Sequence, residues 1–127
     1  GNLSQIWRMK PIRDHFNNNG HHQSLLWEGN IYGFDEKQLS CLDWKTGEVK
    51  WAQKRVGKGA LMIADGKLIA VTEAGKLVIA EASPDGFNEL ASAEVLSRPC
   101  RTVPVLVNGK IYCRNHEGDL VCVDVRP

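Results

Sequence analysis

Little in this chain points to chemistry. None of its four cysteines, Cys41, Cys100, Cys113 and Cys122, has the two-residue separation of a zinc site or redox pair, so paired-thiolate chemistry is excluded. There is no Gly-x-Ser-x-Gly elbow to present a nucleophile. Gly57-Lys58-Gly59 lacks the Lys-Ser/Thr pair of a phosphate cradle, and Met62 stands where a dinucleotide fingerprint needs its last glycine. Charge of one sign is missing too. Sixteen basic against fifteen acidic side chains leave a formal charge of +1, which draws the chain to neither nucleic acid nor an anionic membrane. The longest apolar runs, Leu77 to Ala80 and Val103 to Val107, fall far short of the roughly 20 residues that span a bilayer. No charged-then-apolar leader opens the chain, so its compartment is read only indirectly.

What is present is a core and a repeat. With 127 residues, 43% of them hydrophobic, the chain suits one folded domain. Gly29-Asn30-Ile31-Tyr32, Leu39-Ser40-Cys41-Leu42-Asp43, Thr46-Gly47 and Trp51 are echoed by Gly66-Lys67-Leu68-Ile69, Leu77-Val78-Ile79-Ala80-Glu81, Asp85-Gly86 and Leu90. A third echo runs Gly109-Lys110-Ile111-Tyr112 and Leu120-Val121-Cys122-Val123-Asp124. The leading glycines recur 37 and 43 residues apart, near the period of about 40 to 50 residues of four-stranded propeller blades.

Inside each unit, apolar and β-branched runs are punctuated by glycine turns, and helix signals are nearly absent. Asp65-Gly66 and Asn108-Gly109 predict two-residue hairpins, because these dipeptides tolerate positive φ best. Ala74-Gly75 and Glu117-Gly118 then turn the second strand into the third, and Thr46-Gly47 and Asp85-Gly86 the third into the fourth. Lys67 to Val71 and Leu77 to Ala80 are apolar at consecutive positions, so neither face is meant for water. Stacked blades cover both faces, whereas an up-and-down barrel shows cleaner alternation. The expected fold is all-β: about three four-stranded antiparallel blades of a propeller.

The segment from Gly29 to Trp51, Gly-x-Ile-Tyr-Gly-Phe-Asp followed by Leu-x-Cys-Leu-Asp-x-x-Thr-Gly-x-x-x-Trp, resembles the blade signature of the pyrroloquinoline-quinone-like propellers. The resemblance extends over nearly the whole chain. It implies that the turn glycine and the tryptophan four residues later staple each blade to its neighbour. Thr46, Gly47 and Trp51 match that docking element, Trp7 looks like the docking tryptophan of a preceding blade, and Leu90 replaces the tryptophan in the middle unit. The implied roles are a scaffold, as in outer-membrane-assembly lipoproteins, or part of a quinone- and calcium-dependent dehydrogenase. The implied location is periplasmic or secreted. Against the dehydrogenase, no adjacent-cysteine pair is present and no Glu/Asn/Asp set matches the calcium ligands, so no cofactor is evident.

The resulting division is an outer strand of a preceding blade in residues 1–11 (near Leu3 to Met9), blades in 12–56 and 57–96, and an incomplete blade in 97–127. Three blades do not close a ring, so the open faces call for a protein partner or self-association. The strand around Trp7 is expected to pair with the unfinished blade of the same or another copy.

Candidate contacts are weighed against plainer roles. His21 and His22 lie near Asp14 and His15, but the spacing fits no metal motif and Asn17-Asn18-Asn19-Gly20 reads as a solvated loop. Arg114 and His116 stand on a hairpin tip with Asn115, Glu117 and Asp119, where turn chemistry competes with ligand contact. Trp27 and Trp44 are the tryptophans free for surface contact, and with Tyr32 they keep a carbohydrate-binding module open. The cysteines fit buried thiols better than a disulfide framework, since three sit in apolar strand patterns.

Overall fold

The computed structural model describes residues 2–7, 24–34 and 38–126. Strands β1 (Leu25–Trp27), β2 (Asn30–Phe34), β3 (Leu39–Asp43) and β4 (Val49–Gln53) form the first sheet in chain order. β5 (Gly59–Ala64), β6 (Lys67–Thr72), β7 (Lys76–Glu81) and β8 (Glu89–Glu94) form the second in the same way. β9 (Val105–Val107), β10 (Lys110–Arg114) and β11 (Leu120–Asp124) form a third, with no fourth strand among the described residues. All neighbours are antiparallel.

The repeat is visible in the backbone. Each sheet opens on a two-residue hairpin, closed by the pairs Trp27 with Asn30, Ala64 with Lys67 and Val107 with Lys110. The first turn residues, Glu28, Asp65 and Asn108, have φ of 46, 51 and 49°, and the glycines after them have φ of 80, 68 and 75°. Two successive positive φ angles match the right-handed strand twist, and this geometry selects Asn-Gly and Asp-Gly. The carbonyl of each turn glycine, Gly29, Gly66 and Gly109, then accepts an N–H just past the third strand, from Trp44, Ala82 and Val125 at 3.3, 2.9 and 2.9 Å. The first hairpin of every sheet is thus laced to the end of its third strand.

The middle sheet is apolar on both faces because it separates two cores. Leu61, Leu68, Ala70, Val78 and Ala80 pack against Tyr32, Phe34, Leu39 and Cys41 of the first sheet. The intervening residues Ile69, Val71 and Leu77 turn the other way, onto Ile111, Cys113 and Cys100. Burying a side chain of Leu, Ile or Val contributes about 1.5 to 3 kcal/mol, so β6 stabilises two interfaces with alternate residues. The expected strand over Leu3 to Met9 does not form in its described part: residues 2–7 carry no strand, since no partner strand is hydrogen-bonded to them. Met9 lies outside the described residues. Eleven strands stand among the described residues.

Candidate functional site

The β3–β4 connection is organised by Asp43. Its Oδ1 accepts the Lys45 N–H at 2.8 Å, the Thr46 N–H at 3.0 Å and the Thr46 hydroxyl at 3.2 Å. The Thr46 Oγ1 accepts the Glu48 N–H in turn, and the Gly47 N–H donates to the Asp43 carbonyl. The backbone donors of Thr46 and then Lys45 hold the Asp43 carboxyl below its ordinary value of 3.8. Asp43 is the organiser that residue types alone left unassigned, though Asp with Thr three residues on is a known turn signature.

Trp7 comes to this turn from the start of the chain. Its indole N–H donates to the Trp44 carbonyl at 3.0 Å, and its ring lies over Gly47 at φ +75°. Trp51 makes the matching approach to the second sheet: its indole N–H donates to the Ser83 carbonyl at 2.7 Å. Its ring meets Phe87 edge-on at 5.7 Å and lies 6.1 Å from Tyr32. Trp7 and Trp51 therefore reach the last turns of the first and second sheets respectively. In the second sheet the strand register puts Ala91, not the expected Leu90, at the position of Trp51: Ala91 lies opposite Ile79 as Trp51 lies opposite Cys41, because the bulge takes up Leu90 as it takes up Lys50, and Leu90 is exposed.

Trp44 is the exposed member of this group, with 45% of its surface open. Its N–H donates to Gly29, its carbonyl is taken by Trp7, and its ring lies beside Gly29. It lines an open cavity of about 470 Å³ with Lys45, Lys50, Glu28, Asp43 and Asp85. The Lys45 ammonium lies 5.8 Å from the centre of the Trp44 ring. Trp27 lies elsewhere, half-buried against the first core. Tyr32 is fully buried and offers no sugar platform; its hydroxyl has no hydrogen-bond partner among the described residues, and Cys41 lies opposite it in the strand register.

Arg114 and His116 are exposed on the β10–β11 turn, remote in sequence from the Trp44 cavity and not among its lining. Between them Asn115 is buried: its amide donates to the Ser97 carbonyl, the Ser97 hydroxyl and the Asp119 carboxylate, and its Oδ1 accepts the Asp119 N–H. His21 and His22 lie outside the described residues. Among the described residues no three His, Cys, Asp or Glu side chains gather to hold a metal, and no helix is long and apolar enough to cross a membrane. All four cysteines are free. Cys41, Cys100 and Cys113 are buried, and desolvation raises each thiol, Cys41 and Cys113 to about 11. Cys122 is exposed despite its apolar strand context.

These sheets, stacked face to face with Trp51 reaching from the first to the second, define three blades of a β-propeller. Solved structures share this fold. BamB from Moraxella catarrhalis aligns with a TM-score of 0.68 at 17% identity, over 80% of this chain and 32% of that one. The quinohemoprotein alcohol dehydrogenase ADHIIG from Pseudomonas putida HK5 aligns with 0.68 at 16%, over 80% and 18%. A europium-containing methanol dehydrogenase aligns with 0.61 at 18%, over 80% and 22%. The chain thus spans a third or less of these structures. No family model and no curated protein matches it.

Proposed function

We propose that these blades form a non-catalytic scaffold whose turn-bearing side binds a protein or peptide, with Trp44 as anchor. The observation that supports this is an exposed tryptophan held by its own backbone and by Trp7 at the mouth of a cavity of about 470 Å³. Tryptophan is enriched at interface hot spots, and an anchor already fixed in place loses little entropy on binding. Lys45, Lys50, Glu28 and Asp85, all lining the cavity, offer rim contacts of both signs to a peptide. Trp7, Thr46, Gly47 and Trp51 serve as the blade-docking elements in this reading, and the location is periplasmic or secreted, as the sequence resemblance implies.

No group of three His, Cys, Asp or Glu side chains among the described residues favours the calcium- and quinone-dependent reading over this one. Asp43, the carboxylate at the cavity, is already committed to three donors of its own turn. Panning a random linear-peptide phage library on the wild type and on Trp44→Ala tests the reading. Clones enriched on the wild type are expected to lose at least about tenfold in affinity on the variant, as for an interface hot spot. Equal enrichment on both proteins overturns it.

A further inference from the structure

We infer that the end of the sheets opposite Trp44 is a second docking surface, where the Arg98 and Arg101 guanidiniums take the carboxylates of an acidic peptide. This holds whatever Trp44 binds. The Trp44 turn shares one end of the first sheet with the β1–β2 hairpin, its N–H donating to the Gly29 carbonyl. β4 runs from that end to the other, and the turn Lys54–Val56 leads on to Lys58 and β5. The β6–β7 turn with Glu73, the β8–β9 connection and the β10–β11 turn meet there.

Hydrogen bonds between backbones fix these segments to one another. The Glu73 N–H donates to the Lys58 carbonyl and the Cys100 N–H to the Glu73 carbonyl, each at 2.9 Å. The Val95 and Leu96 N–H groups donate to the Gly75 carbonyl, an approach that needs glycine, since a Cβ there would run into the Leu96 carbonyl. The β10–β11 turn is joined on by the His116 N–H, which donates to the Pro99 carbonyl at 3.0 Å, and by the Asn115 amide on Ser97. Arg98 and Arg101 therefore stand on a braced connection, which loses little entropy when a partner binds.

The charges gathered here do not cancel. Glu73 is the central carboxylate, with 16% of its side chain exposed, and the Lys58 ammonium lies 3.2 Å from its Oε2. That pair is balanced, yet an Arg101 nitrogen stands 3.7 Å from Oε1, and Arg98 is near enough to act on the same carboxyl. Burial works against the charge on Glu73, and Lys58, then Arg101 and Arg98, more than offset it, holding the carboxyl below its ordinary value of 4.5. On the neighbouring turn Asp119 accepts the Asn115 amide at 3.0 Å, and Arg114 balances Glu117 in charge. The surplus is thus Arg98 and Arg101, both exposed. Arg101 reaches Glu73 from beyond hydrogen-bond distance, so its fork of five donors stays open to a ligand. A guanidinium fork matches a carboxylate edge with two parallel N–H bonds, and arginine clusters are a recurrent receptor of acidic motifs. Nucleic-acid bases would need stacking surfaces, and residues 73–75, 96–101 and 114–119 include no Phe, Tyr or Trp.

Fluorescence anisotropy with fluorescein-labelled hexaglutamate, at about 50 mM salt to limit screening, tests this on the 127-residue chain. Arg98→Gln with Arg101→Gln is expected to weaken binding at least about tenfold, through loss of hydrogen bonds to charged groups. Lys67→Gln with Lys110→Gln removes equal charge at the hairpin end and is expected to change it less than about twofold. Trp44→Ala is expected to leave it unchanged, so failure of this inference and failure of the Trp44 reading show separately. Should the arginine pair variant lose the wild-type far-UV spectrum, Arg98→Gln alone is expected to weaken binding at least about threefold. Absence of binding at about 1 mM protein, equal losses in the two pair variants, or tighter binding of a single-stranded DNA of equal charge overturns the inference.

Discussion

A Cβ added to Gly47 would lie 2.8 Å from Cε3 of Trp7, so the first turn and the amino-terminal indole share one space. Gly47 also has φ +75°, where a non-glycine side chain is strained by roughly 1 kcal/mol or more. Gly47→Ala is therefore expected to lose about 1 to 3 kcal/mol, the strain plus displacement of a packed ring. Gly66→Ala is the control, since it has φ +68° with nothing within 4 Å. It is expected to lose only the strain. Equal urea midpoints for the two variants would show that the Trp7 contact contributes nothing.

The Tyr32 hydroxyl is buried with no hydrogen-bond partner among the described residues, while its ring sits in the first core near Trp51. An unsatisfied buried hydroxyl costs about 1 to 3 kcal/mol, so its removal is expected to be neutral or stabilising. Tyr32→Phe should hold or raise the thermal midpoint, whereas a clear drop would reveal a partner for the hydroxyl. Burial, and next the neighbouring Cys41, push the Tyr32 hydroxyl well above its ordinary range, so it stays protonated across the working range of pH.

Leu68 and Ile69 are sequence neighbours that belong to different cores. Leu68→Ala and Ile69→Ala are each expected to destabilise by about 2 to 5 kcal/mol. In a sheet with one wet face only one of them would. Denaturant titration of the two variants separates the cases, and a near-silent substitution at either position contradicts the wall between two cores.

These residues also mark what was legible in the sequence. The hairpins at Asp65-Gly66 and Asn108-Gly109 were, because few residues adopt two positive φ angles in succession; Glu28, at φ 46°, does so against its type and gives a weaker signal. Consecutive apolar residues in β6 announced two buried faces, though not which core each residue enters. Strand-like residues around Trp7 promised a strand, but a strand is made by its partner, and none among the described residues pairs with residues 2–7. Cys122 and Cys41 occupy equivalent positions, and only the stacking of a further sheet distinguishes a buried thiol from an open one. For the candidate site, Trp44 was legible as a surface tryptophan, while the anchoring of its carbonyl by Trp7 depends on contact across 37 residues.

Thiol accessibility follows from the same contrast. In dilute native protein one cysteine, Cys122, is expected to react quickly with an aromatic disulfide reagent, and all four in denaturant. Burial shields Cys41 and Cys113 and lifts their thiols to about 11, so few of either ionise near neutrality. Rapid reaction of a second thiol in the native state would show that a core opens.

Asp43 gives a prediction in pH. Its folded carboxyl sits below 3.8 because the Thr46 and Lys45 N–H groups, and the Thr46 hydroxyl, favour the charged form. A lowered carboxyl stabilises the fold above its unfolded value, and that stabilisation is lost as pH falls through the lower folded one. The wild type should therefore weaken as acid is added below about pH 4, the ordinary carboxylate value, while Asp43→Asn, which has no charge there to lose, should weaken less steeply over the same window. Thermal midpoints of both proteins between about pH 2 and 6 check the sign. Parallel curves would mean that the turn is held without the carboxylate charge, and with it that the platform under Trp44 rests on the Thr46 and Gly47 backbone alone.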